Sequence, residues 1–184
     1  MNGLGIFGGA FDPPHVGHVA LVRAAKEALA LDRVVVVVVA DPGHKDVATP
    51  ADVRLELARA AFPGDEVVLD DHARTVDMLR AHPEWHGATF LLGADELEGF
   101  RDWKEPDDVL RLVTLAVATR RGHRVELDDP RVIAFDLDEP VTSRDVRARL
   151  EAGEDVRALV PPAVRDIVDR DGLYGHRPSY THRA

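Results

Sequence analysis

LGIFGGAFDPPHVGHVALVRAAKEALALDRVVVVVV, residues 4–39, reads in one pass as strand, loop, helix and strand. Leu4 to Gly8 is short, apolar and ended by glycine. Val16 to Leu31 sets Val19, Val22 and Leu29 among alanines at helical spacing. Val34 to Val39 is six valines in succession. A run with no polar alternate offers no face to water, so it predicts an interior strand of a parallel sheet covered on both sides. Parallel strands joined through a helix imply an α/β fold.

The alternation continues along the chain. Further strands are expected at Glu66 to Leu69, Thr89 to Leu92, Val113 to Thr119 and Val132 to Asp136. Helices are expected at Ala51 to Ala61, Thr75 to Ala81, Asp95 to Phe100, Pro106 to Arg111, Ser143 to Ala152 and Pro162 to Arg170. Pro50 suits the first helical position, with Thr49 as the cap before it. The expected architecture is a Rossmann-like open parallel sheet with helices on both faces, and its ligand site should lie beyond the carboxyl ends of the strands. Residues 1–175 read as a single domain, and 176–184 as a polar, frayed tail. Gly3-Leu-Gly-Ile-Phe-Gly8 satisfies the letters of a dinucleotide fingerprint. It is itself the first strand rather than the turn after one, so it carries no such function.

The loop Gly8-Gly-Ala-Phe-Asp-Pro-Pro-His-Val-Gly-His18 suits close approach of an anion. Gly8 and Gly9 clear side chains from the strand end, so backbone N–H groups can lie against a ligand. Pro13 and Pro14 delay the helix until about Val16. Free N–H groups at the helix start favour phosphate, and His15 and His18 can donate to phosphoryl oxygens whose charge grows as a P–O bond breaks. A single histidine there would be an ordinary cap or surface residue. The pair in this framework favours phosphate chemistry over zinc, which would want a third protein ligand and H-E-x-x-H spacing.

Composition narrows the partners. The chain has 184 residues, no cysteine and a formal net charge of −10. Disulfides and thiolate metal sites are excluded, in keeping with a reducing cytoplasm. The acidic balance argues against nucleic acid and anionic membranes as partners. The start of the chain lacks a signal-peptide pattern, and the aliphatic run Val34 to Ala40 is too short to cross a bilayer. A soluble cytoplasmic protein is expected; self-association stays open.

Gly9-Ala-Phe-Asp-Pro-Pro-His-Val-Gly-His18 resembles the G-x-F-D-P-x-H-x-G-H signature of the nucleotidyltransferase superfamily, and most resembles its bacterial nicotinate-nucleotide adenylyltransferases. The resemblance implies that His15 and His18 contact the ATP phosphates, with Gly8, Gly9, Ala10 and Phe11 beside the nucleotide. It extends in order along the chain. Gly43-His-Lys45 resembles the family's Pro-His-Lys, whose lysine faces phosphate; a solvated loop lysine is the alternative. Leu91-Leu-Gly-Ala-Asp95 resembles the strand-end Gly-Ala-Asp that serves adenosine and ribose, which assigns Gly93 and Asp95 to the nucleotide, although Asp95 could simply cap a helix. Trp103 matches the tryptophan that stacks on the nicotinate ring, with core packing as its alternative, while Trp85 matches nothing and reads as structural. Ala118-Thr-Arg-Arg-Gly122 resembles an Arg-Pro-Gly turn and assigns Arg120 to the nucleotide. Val141-Thr-Ser-Arg-Asp-Val-Arg147 resembles Ile-Ser-Ser-Thr-x-Ile-Arg; Ser143 as helix cap and Arg147 one turn on would form a second anion site.

Two positions depart from the pattern. The family's Ser-Tyr-Thr, which helps hold the nicotinate nucleotide, is here Ala73-Arg-Thr75: Thr75 is kept as an acceptor contact, and Arg74 stands in the aromatic position. Arg144 replaces a small hydroxyl residue. The implied reaction is transfer of AMP from ATP to nicotinate mononucleotide, with Mg²⁺ held mainly by substrate and water. The alternatives are the same chemistry on nicotinamide mononucleotide, phosphopantetheine or glycerol phosphate, with CTP for ATP also open; a nucleotide-binding regulator without turnover; and zinc-assisted hydrolysis.

Overall fold

The computed structural model describes residues 3–43, 47–119, 129–137 and 141–176. Lys45, Arg120 and the tail 177–184 lie outside the described residues. Six strands form one sheet: β1 Leu4–Gly9, β2 Arg33–Val39, β3 Glu66–Asp70, β4 Thr89–Gly93, β5 Thr114–Thr119 and β6 Val132–Asp136. Their order is β3-β2-β1-β4-β5-β6, and every pairing is parallel. The helices are α1 Val16–Leu29, α2 Ala51–Ala61, α3 Thr75–Ala81, α4 Ala94–Glu98, α5 Pro106–Leu112, α6 Ser143–Glu151 and α7 Pro162–Asp171. The expected α/β sheet with helices on both faces is the observed one.

The valine run shows why the sheet needs two covers. Val34, Val36 and Val38 enter one core with Leu21 and Val22 of α1, Leu57 of α2, Val146 of α6 and Ile167 of α7. Val35 and Val37 enter the opposite core with Val76 and Leu79 of α3 and Val109 and Leu110 of α5. The two-residue period of a strand thus sends one homopolymeric stretch into both layers.

β1 lies between β2 and β4, so the chain leaves it in one direction through β2 and β3 and crosses back to continue at β4. A crevice opens outside the carboxyl ends at such a reversal of strand order. Gly8 and Gly9 end β1 at that reversal.

Two local expectations change. Pro50, not Thr49, occupies the cap position of α2, and the Thr49 hydroxyl turns to Asp12. His176, expected at the start of a frayed tail, is held with Nε2 2.9 Å from Asp169 Oδ1 and 3.1 Å from Arg165 Nη2. Among the described residues, no helix is long and apolar enough to cross a membrane.

Candidate active site

Between β1 and α1 the chain turns sharply. Phe11 has φ of 52°, and the Asp12–Pro13 peptide is cis. The Phe11 ring enters the core, edge-on to Phe7 and Phe62, with centroids 5.4 and 5.8 Å away. A ligand could therefore meet the backbone at Phe11, while its ring packs beneath. A Cβ at Gly9 would come within 3.0–3.3 Å of that ring, which explains the glycine by packing as well as by ligand access.

Asp12 anchors the turn from inside. It is 2% exposed, and its Oδ1 accepts from Thr49 Oγ1 at 2.7 Å and from the Tyr174 hydroxyl at 2.9 Å. Its Oδ2 accepts from the Ala48 N–H. Burial first, then the nearby Asp12 charge, hold the Tyr174 phenol protonated and hence a donor.

The late signature closes on the same turn. Arg147 Nη1 donates to the Asp12 carbonyl at 2.6 Å and lies 3.8 Å from Asp12 Oδ2. Ser143 Oγ donates to the Pro13 carbonyl at 2.8 Å. Ser143 is not the helix cap: Thr142 occupies that position, its hydroxyl accepting from the Asp145 N–H at 3.1 Å. The reason is tertiary, since the Pro13 carbonyl engages the second of two adjacent hydroxyls. Arg144 is exposed.

Arg54 supplies the remaining support. It is 1% exposed and donates to four carbonyls: Ala10 at 3.0 Å, Val39 at 2.7 Å, Ala40 at 2.7 Å and Thr49 at 3.2 Å. One guanidinium thereby ties the end of β2 to the residue after β1. Sequence reading missed this residue. The available signal was an arginine three and four positions before the buried Leu57 and Ala58, on the apolar stripe of α2.

At the start of α1 the two imidazoles stack, with centroids 3.6 Å apart and planes 23° from parallel. The His15 N–H donates to His18 Nδ1 at 3.2 Å. That amide makes Nδ1 an acceptor, so the neutral His18 ring carries its proton on Nε2. His18 is half-buried and edge-on to Phe11, 5.1 Å between centroids. His15 is 6% exposed, and desolvation, opposed in part by Asp145, lowers its pKa to about 4. It is therefore a neutral ring at pH 7, and its buried Nδ1 has no hydrogen-bond partner among the described residues. A Cβ at Gly17 would come within 3.0 Å of His15 Nδ1, so glycine there leaves room for the ring.

A cavity of about 800 Å³ opens at the strand reversal. Its lining includes Gly8, Gly9 and Ala10 from the end of β1, His72 to Thr75 from the β3–α3 connection, and Asp95, Glu96, Trp103 and Lys104 from α4 and the segment after it. The structure thus brings Thr75, Asp95 and Trp103 to one space with the end of β1. Trp103 is half-buried, edge-on to Phe90 and Phe100 at 6.4 and 5.3 Å, so it serves as core packing and as cavity wall. Gly93 caps α4, and its N–H donates to Glu96 Oε2 at 3.1 Å, which leaves Asp95 in the first turn rather than at the cap. Neither histidine of the pair lines the cavity; they adjoin it through the Gly9–Asp12 turn. Trp85 is buried and stacks on His82 at 3.9 Å, a structural role as expected.

Residues 6–149 match the sequence profile of the cytidylyltransferase-like family. The chain is 34% identical to the probable nicotinate-nucleotide adenylyltransferase of Rubrobacter xylanophilus, over 93% of this chain and 91% of that protein. The chain belongs to this family. The probable nicotinate-nucleotide adenylyltransferase of Thermus thermophilus is 35% identical, over 93% of this chain and 98% of the relative. Among solved structures, the Plasmodium falciparum nicotinic acid mononucleotide adenylyltransferase complexed with NaAD superposes with a TM-score of 0.79 at 17% identity, covering 96% of this chain and 99% of that one. That likeness is one of fold. Family membership makes the chain a nucleotidyltransferase, as the H-x-G-H resemblance implied.

Proposed function

We propose that the protein transfers the adenylyl group of ATP to the phosphate of nicotinic acid mononucleotide, forming nicotinic acid adenine dinucleotide and pyrophosphate. The observation that carries this reading is the meeting of a nucleotide-sized cavity with the histidine turn at the end of β1, inside a chain of this family. The acceptor's phosphate oxygen attacks the α-phosphorus of ATP, a new P–O bond forms, and the bond to the β-phosphate oxygen breaks. That oxygen is already ionised at neutral pH, so no general base is required. The protein's contribution is placement and hydrogen bonding of growing charge.

In this scheme His18 Nε2–H faces the phosphates and His15 backs it as a neutral ring. Gly8 to Ala10 and the Phe11 backbone lie against the nucleotide, with Gly93 and Asp95 beside its ribose and Thr75 and Trp103 on the acceptor. Arg147 has further N–H donors beyond the one on the Asp12 carbonyl, and these would meet phosphate. Ser143, with its proton on the Pro13 carbonyl, contributes by fixing the turn. Lys45 and Arg120 are assigned to the substrates on the resemblance alone. Mg²⁺ would accompany ATP, held by phosphate oxygens and water. Among the described residues, no group of three acidic, histidine or cysteine side chains is placed to cage a metal.

The test is pyrophosphate release from ATP with nicotinic acid mononucleotide, with the dinucleotide identified by mass. Nicotinamide mononucleotide, phosphopantetheine and glycerol phosphate serve as parallel acceptors. Turnover with another acceptor alone would reassign the substrate, and release with none would refute the transferase reading.

A further inference from the structure

The cavity wall from the β3–α3 connection carries an uncommitted positive charge. Three basic side chains line the cavity. Lys104 Nζ lies 2.8 and 3.0 Å from the Asp77 carboxylate oxygens. His72 Nδ1 lies 3.0 and 3.2 Å from those of the buried Asp70. Arg74, exposed and immediately before α3, is the one whose guanidinium has neither ion pair nor hydrogen bond among the described residues. The group does not extend away from the protein: a Cβ at Gly43 would lie 3.8 Å from Arg74 Nη1, so it reaches across the turn that follows β2. The cavity lining also holds three carboxylates, Asp95, Glu96 and Asp102.

Position along the sheet decides which part of an acceptor this cation meets. The reacting phosphate belongs at the end of β1, where the histidine turn begins. β3 stands two strands from β1, roughly 10 Å away at ordinary strand spacing, and Arg74 Nη1 sits by the turn after β2, the strand between them. A mononucleotide laid with its phosphate at Gly8–Ala10 extends its base away from that point. From the proposed adenylyl transfer we infer that Arg74 reads the carboxylate on the acceptor's pyridine ring, so that acid-over-amide selectivity is set at this position. A planar guanidinium can take a carboxylate through two parallel N–H···O bonds; a carboxamide carries no charge and offers one acceptor oxygen.

The test is titration calorimetry of nicotinic acid mononucleotide and of nicotinamide mononucleotide into the full-length protein and into Arg74→Met and Arg74→Lys, with kcat/KM for both acceptors in parallel. The expected result is binding of the acid form tighter by tenfold or more in the unaltered protein. Arg74→Met should lose at least tenfold on the acid form with little change on the amide form, and Arg74→Lys should retain part of the preference. An unchanged acid-to-amide ratio in Arg74→Met overturns the inference, as does equal weakening of both ligands, which would put Arg74 on their shared phosphate. Carboxylate-selective binding that depends on Arg74, without pyrophosphate release from either acceptor, would support this role while counting against adenylyl transfer. Failure of the unaltered protein to bind either mononucleotide would defeat both.

Discussion

His15 lies flat against His18 at 3.6 Å, and the backbone N–H of the first fixes the ring proton of the second. One residue is thus set to present an N–H, and the other supplies the amide and the surface that orient it. The arrangement separates two roles that the sequence shows only as a pair.

His18→Ala removes the Nε2–H that the proposed scheme sets toward the phosphates. Loss of one such donor to a developing oxyanion typically lowers kcat by about 10²–10³-fold. We expect that loss with the far-ultraviolet circular dichroism and melting temperature close to those of the parent. Steady-state pyrophosphate release measures it, and an undiminished kcat would remove His18 from the chemistry.

His15 makes stability depend on acidity. Its pKa is about 4 when folded, against an ordinary 6.5 when unfolded, so between these values the unfolded chain binds the extra proton. Stability should therefore be fully present above pH 6.5 and decline as pH falls toward 4, by on the order of 3 kcal/mol from this group. Urea midpoints across that range should show a shallower decline in His15→Asn than in the parent. Matching slopes would mean that other groups account for acid sensitivity.

Arg54→Met should be among the most damaging single changes. It strands four carbonyls, three at the ends of β1 and β2 and that of Thr49 before α2, at a cost of about 3 kcal/mol or more. For a chain of this length that is a drop of roughly 6–12 °C in Tm. Arg54→Lys should fall between, because an ammonium has three donors and no fork to span them. A scan within 2 °C of the parent for Arg54→Met, roughly the shift from less than 1 kcal/mol, would show that the carbonyls find water instead.

Tyr174→Phe deletes one donor to a buried carboxylate. A bond to a charged group contributes about 1.5–3 kcal/mol, so a modest fall in Tm should accompany a severalfold fall in kcat. Little change in KM is expected, since Asp12 sits behind the turn rather than in the cavity. A KM effect without a kcat effect would place Tyr174 with the substrate pocket and not with the turn.

Most of the fold was readable because its signals are local or periodic. The valines of β2 lack a polar alternate, the prolines delay α1, and α3 runs from Thr75 to Ala81 as its pattern indicates. The histidine turn was readable because its residues adjoin in the chain. What escaped depends on distant partners. Thr142 and Ser143 are equivalent as caps until the Pro13 carbonyl, 130 positions earlier, engages one of them. Thr49 precedes a helix, yet its hydroxyl belongs to Asp12. Arg54 breaks an apolar stripe, and its meaning emerges only when two strand tips converge on it. Arg74 is likewise without a partner among the described residues, because His72 and Lys104 engage Asp70 and Asp77.

The hydrogen bond from Tyr174 to Asp12 spans 162 positions of the chain. During synthesis the ribosome must release the chain through Tyr174 before that hydroxyl can reach its partner. The sheet can assemble earlier, from strands that all precede α6. A nascent chain halted short of Tyr174 would then carry its histidines on a turn without this brace, and competence would arrive only once Tyr174 has emerged.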